Sequence, residues 1–420
     1  MSYILSAYNI VDEKKGQKYI VNTLSGALIR LDEQTYAALK AQNLNCLSDE
    51  QISILQKSGM LIDENIDEQR VIRAAYKAYC HGRKNVTMIV CPTLDCNFAC
   101  PYCFEERQKG SLNADVENAI LHYAETLLTH GYENLNFEWF GGEPLLYPDI
   151  VARMSRKIIE LCKKYKSTYT FSITTNGYCI NDSVISLLSE IHVKEVKITL
   201  DGNKSSHDTR RILRNGKGTF DVIMSNIKKL SVNGIHVKVR VNIDKQNPDA
   251  FLQVKKELNG LENLFVYPAT VVEEPTQDEV QKKKCYATSE YEEFHQAMYR
   301  RYGFKPSYEG LFQKGVCSCV AEHDESCVID HNGYVYKCVN DVGHPKWAVC
   351  NVLDENPQRN AAAVAKYLGR DPISELPCNS CKLFPICYGG CVYELMRRKE
   401  HDCARVKYLF DDIIAEKLGV

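Results

Sequence analysis

The chain has 420 residues, enough for two or three domains with separate cores, and 52 basic against 54 acidic residues give a formal net charge of -2. It has no basic tract to engage nucleic acid, no acidic tail for a charged partner and no apolar run long enough to span a bilayer. Its first fourteen residues lack both the basic start and the apolar centre of a signal peptide, so a cytoplasmic protein with no membrane or nucleic-acid partner is expected.

Nineteen cysteines are too many to read as disulfides in a reducing compartment. Their spacing is uneven. Cys91, Cys96, Cys100 and Cys103 sit together, and ten more fall between Cys317 and Cys403. Cys46, Cys162 and Cys179 are scattered as buried structural thiols are. Clustering of the others points to metal.

From the N-terminus, short strands are expected over 18–22 and 27–31 around Leu24-Ser25-Gly26. Helices are expected over 33–41 and 49–57, the second ending near Gly59, with a charged connector at 63–70. The middle of the chain alternates strand and helix. Strand candidates begin near Val86, Leu135, Tyr169, Val196, Val237 and Leu264. The first helical pattern, 114–130, places Val116, Ala119, Ile120, Tyr123, Leu127 and Leu128 on one face. Six β–α repeats predict a parallel sheet with helices outside and a site at the carboxyl ends of its strands. A full eight-unit barrel needs more chain, so the expected fold is α/β with a partial (β/α)6 barrel. From about Lys305 onward the sequence is rich in Cys, Gly and Tyr. A hairpin is expected around Asn332-Gly333, and metal binding would supply folding energy that a small apolar core cannot.

Cys96, Cys100 and Cys103 form C-x3-C-x2-C directly after the first strand of the middle region. Thiolates are the usual ligands of iron–sulfur clusters, and three of them leave one iron of a 4Fe–4S cluster open. The competing reading is zinc, but structural zinc takes four protein ligands and favours C-x2-C pairs. Cys91, on the strand, reads as a buried thiol. The segment Cys-Asn-Phe-Ala-Cys-Pro-Tyr-Cys-Phe-Glu resembles the radical S-adenosylmethionine (SAM) superfamily, in which the open iron chelates the cofactor's methionine and a 5′-deoxyadenosyl radical abstracts substrate hydrogen.

That resemblance implies further cofactor contacts. Gly141-Gly142-Glu143 would hold the methionine amino group, and Ser172 and Asn176 would meet ribose or carboxylate. Arg211, with Arg210 as the alternative, would face the carboxylate. Arg240 and Asn242 would edge the ribose, and Tyr267 and Pro268 would flank adenine. Without the resemblance, Asn176-Gly177 is an ordinary turn and each arginine a solvated charge.

Cys378-x2-Cys381-x5-Cys387-x3-Cys391, then Cys403, with Cys319-x13-Gly333-x4-Cys338 upstream, resembles the SPASM domain of peptide-modifying radical enzymes. The resemblance implies two auxiliary 4Fe–4S clusters, three in all. Cys378, Cys381, Cys387 and Cys403 would hold one, and Cys319, Cys338 and Cys391 part of the other. Its fourth ligand is Cys327, Cys317 or an open iron. A zinc ribbon of Cys378, Cys381, Cys387 and Cys391 would leave Cys319, Cys338 and Cys403 unexplained. Cys285 and Cys350 match no motif.

The implied organisation is a winged-helix-like, leader-recognition-like domain over 1–70, a radical SAM partial barrel over 82–304 and a SPASM auxiliary-cluster domain over 305–420. The implied partners are a peptide or protein substrate with a leader sequence, captured as an added strand, and an electron donor such as flavodoxin or ferredoxin. The expected reaction modifies a ribosomally made peptide, forming a thioether or other side-chain crosslink. The alternative is an anaerobic sulfatase-maturing, formylglycine-generating enzyme. That group carries Asp directly after the Gly-x4-Cys cysteine, where this chain has Val339, with Asp341 two residues on. A non-catalytic electron carrier is a third reading, which the cofactor-binding segments disfavour.

Overall fold

The computed structural model describes residues 2–420 except 83, 274–276, 307, 313–318, 356–357, 376, 399–402 and 404, and omits the side chains of 288, 310 and 398. Two compact units divide the chain. One comprises Met1–His81, Glu292–Ser318 and Arg370–Val420, the other Gly82–Tyr291 and Cys319–Gly369.

In the first unit, Tyr3–Leu5 (β1) pairs antiparallel with Leu61–Asp63 (β5). Asn9–Lys14 (β2), Gln17–Asn22 (β3) and Leu28–Arg30 (β4) form an antiparallel sheet in that order. The expected strands are β3 and β4; β1, β2 and β5 are additional. Helices Glu33–Lys40 (α1) and Asp49–Lys57 (α2) fall where the pattern predicts. Asp32 caps the first by accepting from Thr35 N, and Ser48 with Gln51 closes a capping box on the second. Ile20 joins Leu39, Leu55 and Met60 in one core, whereas Tyr19 and Val21, on the other face of β3, pack on Val406, Phe410 and Ile414. The helix Val406–Leu418 thus buries a sheet made nearly four hundred residues earlier in the chain. The charged stretch expected as a connector begins Glu68–Cys80 (α3). Asp67 caps it, and Ile72, Tyr76 and Cys80 recur every fourth residue on its buried face. Cys46 is exposed, unlike the buried thiol expected there, because its short 3-10 turn contributes no buried residue.

The second unit is built on six parallel strands in sequence order: Asn85–Val90 (β6), Asn134–Trp139 (β7), Thr168–Thr175 (β8), Val193–Leu200 (β9), Val237–Ile243 (β10) and Leu264–Thr270 (β11). Between them run Ala114–Thr129 (α4), Pro148–Tyr165 (α5), Asp182–Glu190 (α6), Lys204–Arg210 (α7), Phe220–Val232 (α8) and Ala250–Glu257 (α9). Strands Cys327–Ile329 (β12), Tyr334–Tyr336 (β13) and Cys350–Asn351 (β14) continue the same sheet beyond β6, making nine strands. The β12–β13 hairpin turns where expected. Asp330 Oδ1 accepts from Asn332 N and Tyr334 N, and Gly333 takes φ 85°.

A parallel sheet covered on both faces reads as continuous apolar runs. These strands alternate. Leu135, Phe137 and Trp139 of β7 and Val237, Val239 and Val241 of β10 are buried, and Trp139 Nε1 donates to Ser155 Oγ of α5 at 3.0 Å. The opposite face carries Asn136, Glu138, Thr174, Lys197, Lys238 and Arg240. The helices therefore cover one face, and the other is left polar beneath the strand ends.

Candidate active site

The loop leaving β6 is held before it reaches the first cysteine of the triplet. Asp95 N donates to Thr93 Oγ1 at 3.0 Å, and Cys96 N to Asp95 Oδ1 at 2.9 Å. Phe98, 1 % exposed, anchors the loop from below, and Ala99 N donates to Ile212 O at 2.8 Å. Cys96, Cys100 and Cys103 then line a cavity of about 220 Å³ together with Phe140, Gly141, Gly142, Thr175, Asn176 and Arg211. Burial chiefly, with Glu143 and Glu105 respectively adding to it, raises the Cys96 thiol to about 11 and the Cys103 thiol to about 12, and burial also lifts Cys100. Among the described residues no cysteine forms a disulfide. Among the described residues no three His, Cys, Asp or Glu side chains are drawn together as a ready-made ion site, so the thiols are neighbours rather than a closed ligand set.

The two glycines after β7 permit a backbone approach that no other residue allows. A Cβ on Gly141 would meet the Cys91 Cβ at 2.9 Å, and one on Gly142 the Leu94 carbonyl carbon at 2.8 Å. Gly141 also takes φ 101°. Gly142 N donates to Thr93 O at 3.2 Å and Glu143 N to Asp95 O at 2.9 Å, tying this loop to the one that carries Cys96. Glu143 does not present its carboxylate to the cavity. It is fully buried and accepts from Leu145 N at 2.9 Å, Thr175 Oγ1 at 2.7 Å and Asn176 N at 2.7 Å. Burial raises its pKa, with those hydrogen bonds opposing. Its side chain aligns the ends of β7 and β8 rather than facing a ligand.

Asn176 lines the cavity with its amide turned to the cysteine loop, Nδ2 lying 2.7 Å from Asn97 Oδ1 and 3.8 Å from Cys96 Sγ. Ser172 does not line it. It stands three residues before the end of β8, on the same face as Thr174, which does line it; two residues of strand place Ser172 roughly 6–7 Å deeper. Asn242 lines the cavity and accepts from Arg240 Nε at 2.8 Å. Tyr267 and Pro268 are absent from its wall, where Thr270, Val271 and Val272 stand instead, and Tyr267 stacks on Phe265.

The two arginines divide their work. Arg210 Nε meets Asp201 Oδ2 at 2.9 Å and its Nη1 meets Asp244 Oδ2 at 2.6 Å, which neutralises it. Arg211 faces the cavity, its Nη1 3.2 Å from Tyr102 OH and 3.8 Å from Cys100 Sγ, and among the described residues its buried Nε has no partner. Buried donors are nearly always paired, so this nitrogen awaits an acceptor. Tyr102 completes the group by donating to Asp201 Oδ2 at 2.6 Å. Its place between Cys100 and Cys103 was the only sequence signal for it. Glu105, two residues past Cys103, also lines the cavity; burial first, then nearby Glu143, lifts its carboxyl to about 7.

The tail cysteines separate by unit. In the first, Cys378 is flanked by Cys387, Cys403 and Cys381; burial first, opposed by Arg370 and aided by these thiols, raises its own thiol to about 11. This loop is tied to the N-terminal strands: Lys382 Nζ donates to Asn9 O at 2.8 Å, and Thr23 Oγ1 to Lys382 O. Cys391 is exposed and belongs to the same unit. In the second, Cys338 neighbours Cys319 and Tyr367. Cys327 is not brought to that pair. It lies in β12, 2 % exposed, with Tyr123, Lys337 and Cys350 around it, because the strand's alternation gives Val328 to the inner cluster and turns Cys327 toward α4. Cys317 lies outside the described residues.

Residues 90–258 match the Radical SAM superfamily. The chain carries a radical SAM domain. Among curated proteins it is similar to the cysteine-type anaerobic sulfatase-maturating enzyme of Clostridium novyi (strain NT), 24% identical over 345 residues, which span 73% of this chain and 88% of that protein. Among solved structures it resembles native anSMEcpe with bound AdoMet and Cp18Cys peptide (TM-score 0.60, 20% identity), matched over 80% of this chain and 100% of that one. It also resembles Streptococcus suis SuiB bound to precursor peptide SuiA (TM-score 0.51, 17% identity), over 95% of this chain and 98% of that one. At these identities the likeness is one of fold: a parallel-sheet radical SAM core followed by a cysteine-rich C-terminal region. No described helix is long and apolar enough to cross a membrane.

The site fits the group that such a domain binds. Three thiols share one cavity, the paired glycines leave a cradle that a Cβ would fill, and the Arg211 Nε is an orphaned donor where a carboxylate would lie.

Proposed function

We propose that the radical SAM domain modifies a peptide or protein, linking a cysteine sulfur or another side chain to a carbon of the same substrate. The reading is carried by the juxtaposition of Cys96, Cys100 and Cys103 with the unpartnered Nε of Arg211 around one cavity at the carboxyl ends of the strands. When bound there, a 4Fe–4S cluster and S-adenosylmethionine would supply a 5′-deoxyadenosyl radical able to abstract hydrogen from an unactivated carbon. The protein's part is positional. The three thiols would hold the cluster, Arg211, braced by Tyr102, would orient the cofactor's carboxylate, and Gly141 and Gly142 would give its methionine close access to the β7 loop backbone. Phe140, Val271 and Val272 give the cavity an apolar wall that would limit water near the reacting carbon.

The tail adds electron-transfer capacity. Cys378, Cys381, Cys387 and Cys403 would ligate one auxiliary cluster, and Cys319, Cys338 and Cys391 would contribute to a second. Such clusters take an electron from a substrate radical, at potentials set by burial and hydrogen bonds. The N-terminal sheet would receive a leader segment, and a reduced flavodoxin or ferredoxin would deliver the first electron.

Sulfatase maturation is the second reading, favoured by relatives of that activity spanning most of the chain. One observation weighs against it. Asp341 is buried and committed to Lys366 Nζ and Tyr367 OH, each at 2.7 Å, so it is not a free base beside Cys338.

Anaerobic coexpression with a short peptide encoded beside this chain, or with a sulfatase, followed by mass spectrometry, separates the two. A loss of two hydrogens from the peptide supports crosslinking; formylglycine in the sulfatase supports maturation. If C96A/C100A/C103A still yields 5′-deoxyadenosine, the assignment of the first cluster falls.

A further inference from the structure

The polar face of the radical SAM sheet contains a charge imbalance concentrated on one residue. Glu138 of β7 is matched by Lys197 of β9, with Nζ 2.9 Å and 3.0 Å from the two carboxylate oxygens. Glu195 is matched by Lys238 of β10 at 2.6 Å, with Lys197 3.7 Å away on its other side. Two carboxylates thus neutralise two ammonium groups across neighbouring strands. Arg240, one pleat above Lys238 on the same face of β10, is left over.

Its surroundings make that surplus usable. Arg240 is exposed and lines the cavity that holds the cysteine triplet. Nε donates to Asn242 Oδ1 at 2.8 Å, which fixes the plane of the guanidinium, and among the described residues its two terminal nitrogens have no partner. The other cavity arginine, Arg211, stands against Tyr102 and Cys100, and among the described residues its Nε has no partner. A planar, oriented and unpaired guanidinium favours a carboxylate, which it can grip through two parallel hydrogen bonds.

We propose that Arg240 is a specificity-determining residue that binds a carboxylate of the substrate peptide, either an acidic side chain or the free C-terminus, and does not edge the cofactor's ribose. This rests on the reading that the substrate is a peptide.

The test uses anaerobically reconstituted holoenzyme with S-adenosylmethionine and a synthetic pool of short cysteine-centred peptides. Each position is occupied in turn by Asp, Asn or Lys, and each C-terminus is free or amidated. Wild type should retain the carboxylate-bearing members about tenfold more tightly than their amide counterparts. An Asp/Asn difference assigns the side chain; a free/amide difference assigns the terminus. R240A should erase the preference and R240K restore part of it, because an ammonium lacks the planar fork. R240E should turn the preference toward Lys, with iron content and circular dichroism matched across variants. An undiminished preference in R240A overturns the proposal, as does an equal loss of S-adenosylmethionine affinity, which would assign Arg240 to the cofactor. Peptides bound without charge preference overturn it while leaving the peptide reading intact. If wild type binds no peptide, both fall.

Discussion

Gly142 and Asp95 are packed backbone against backbone: a Cβ on Gly142 would lie 2.7 Å from the Asp95 carbonyl carbon, and the next amide, Glu143 N, donates to the Asp95 carbonyl at 2.9 Å. Asp95 in turn accepts from Cys96 N through Oδ1 at 2.9 Å. The shape of the cysteine loop therefore depends on the absence of a side chain one strand away. G142A should displace that loop, at a cost of about 1–3 kcal/mol typical of overpacking. The first cluster should be lost while the tail's iron remains. Iron and sulfide per chain, with electron paramagnetic resonance of the reduced protein, measure this; full cluster occupancy in G142A would remove the glycine from the account.

Arg211 offers a sharper test of cofactor placement. Truncating a buried charged donor that meets a carboxylate costs roughly 1.5–3 kcal/mol, so R211A should weaken S-adenosylmethionine binding by about tenfold or more. R211K should recover only part of it. Equilibrium dialysis with the cluster-loaded protein reads the effect, and equal affinity in wild type and R211A would contradict the assignment.

Cys387 lies in the first unit beside Cys378, away from the cysteine triplet in sequence and unit. If the tail acts after hydrogen abstraction, C387A should retain most 5′-deoxyadenosine formation while product falls well below it. Quantifying both species in one anaerobic reaction gives the ratio. An unchanged ratio would mean that this thiol has no part in turnover.

His207 ties stability to pH. It is fully buried; Nδ1 accepts from Asp201 N at 3.3 Å and Nε2 lies 3.0 Å from Thr219 Oγ1, so the ring is held neutral beside Arg210 and Arg211. Burial first, then the two arginines, push it down to about 2. The unfolded chain, with an ordinary histidine near 6.5, binds the extra proton first. The contribution is thus complete above that value and is lost as pH falls below it, by about 1 kcal/mol between pH 7 and 5.5. Urea midpoints over that range should fall less steeply for H207Q than for wild type.

Local chemistry made much of this legible in sequence. The capping residues Asp32 and Ser48 set the starts of α1 and α2, alternating strands set the sheet, and Asn332-Gly333 set the hairpin. The C-x3-C-x2-C spacing marked the loop at the first strand's end. Each of these signals lies within a few residues of what it determines. Glu143 and Ser172 were placed by motif, and neither lines the cavity: the first is consumed by Thr175 and Asn176, the second shares the face of Thr174 but sits two residues deeper along β8.

What the sequence determined by itself was the set of parts, namely a parallel α/β core, a cysteine triplet at its mouth and a cysteine-rich tail. Tertiary structure alone decided which parts meet. It placed β12 beside β6, turned Cys327 away from Cys338, and buried the N-terminal strand residues Tyr19 and Val21 under the helix Val406–Leu418. Periodicity reports which face of an element is apolar, but the partner of that face can lie anywhere in the chain, and only the packed molecule selects it.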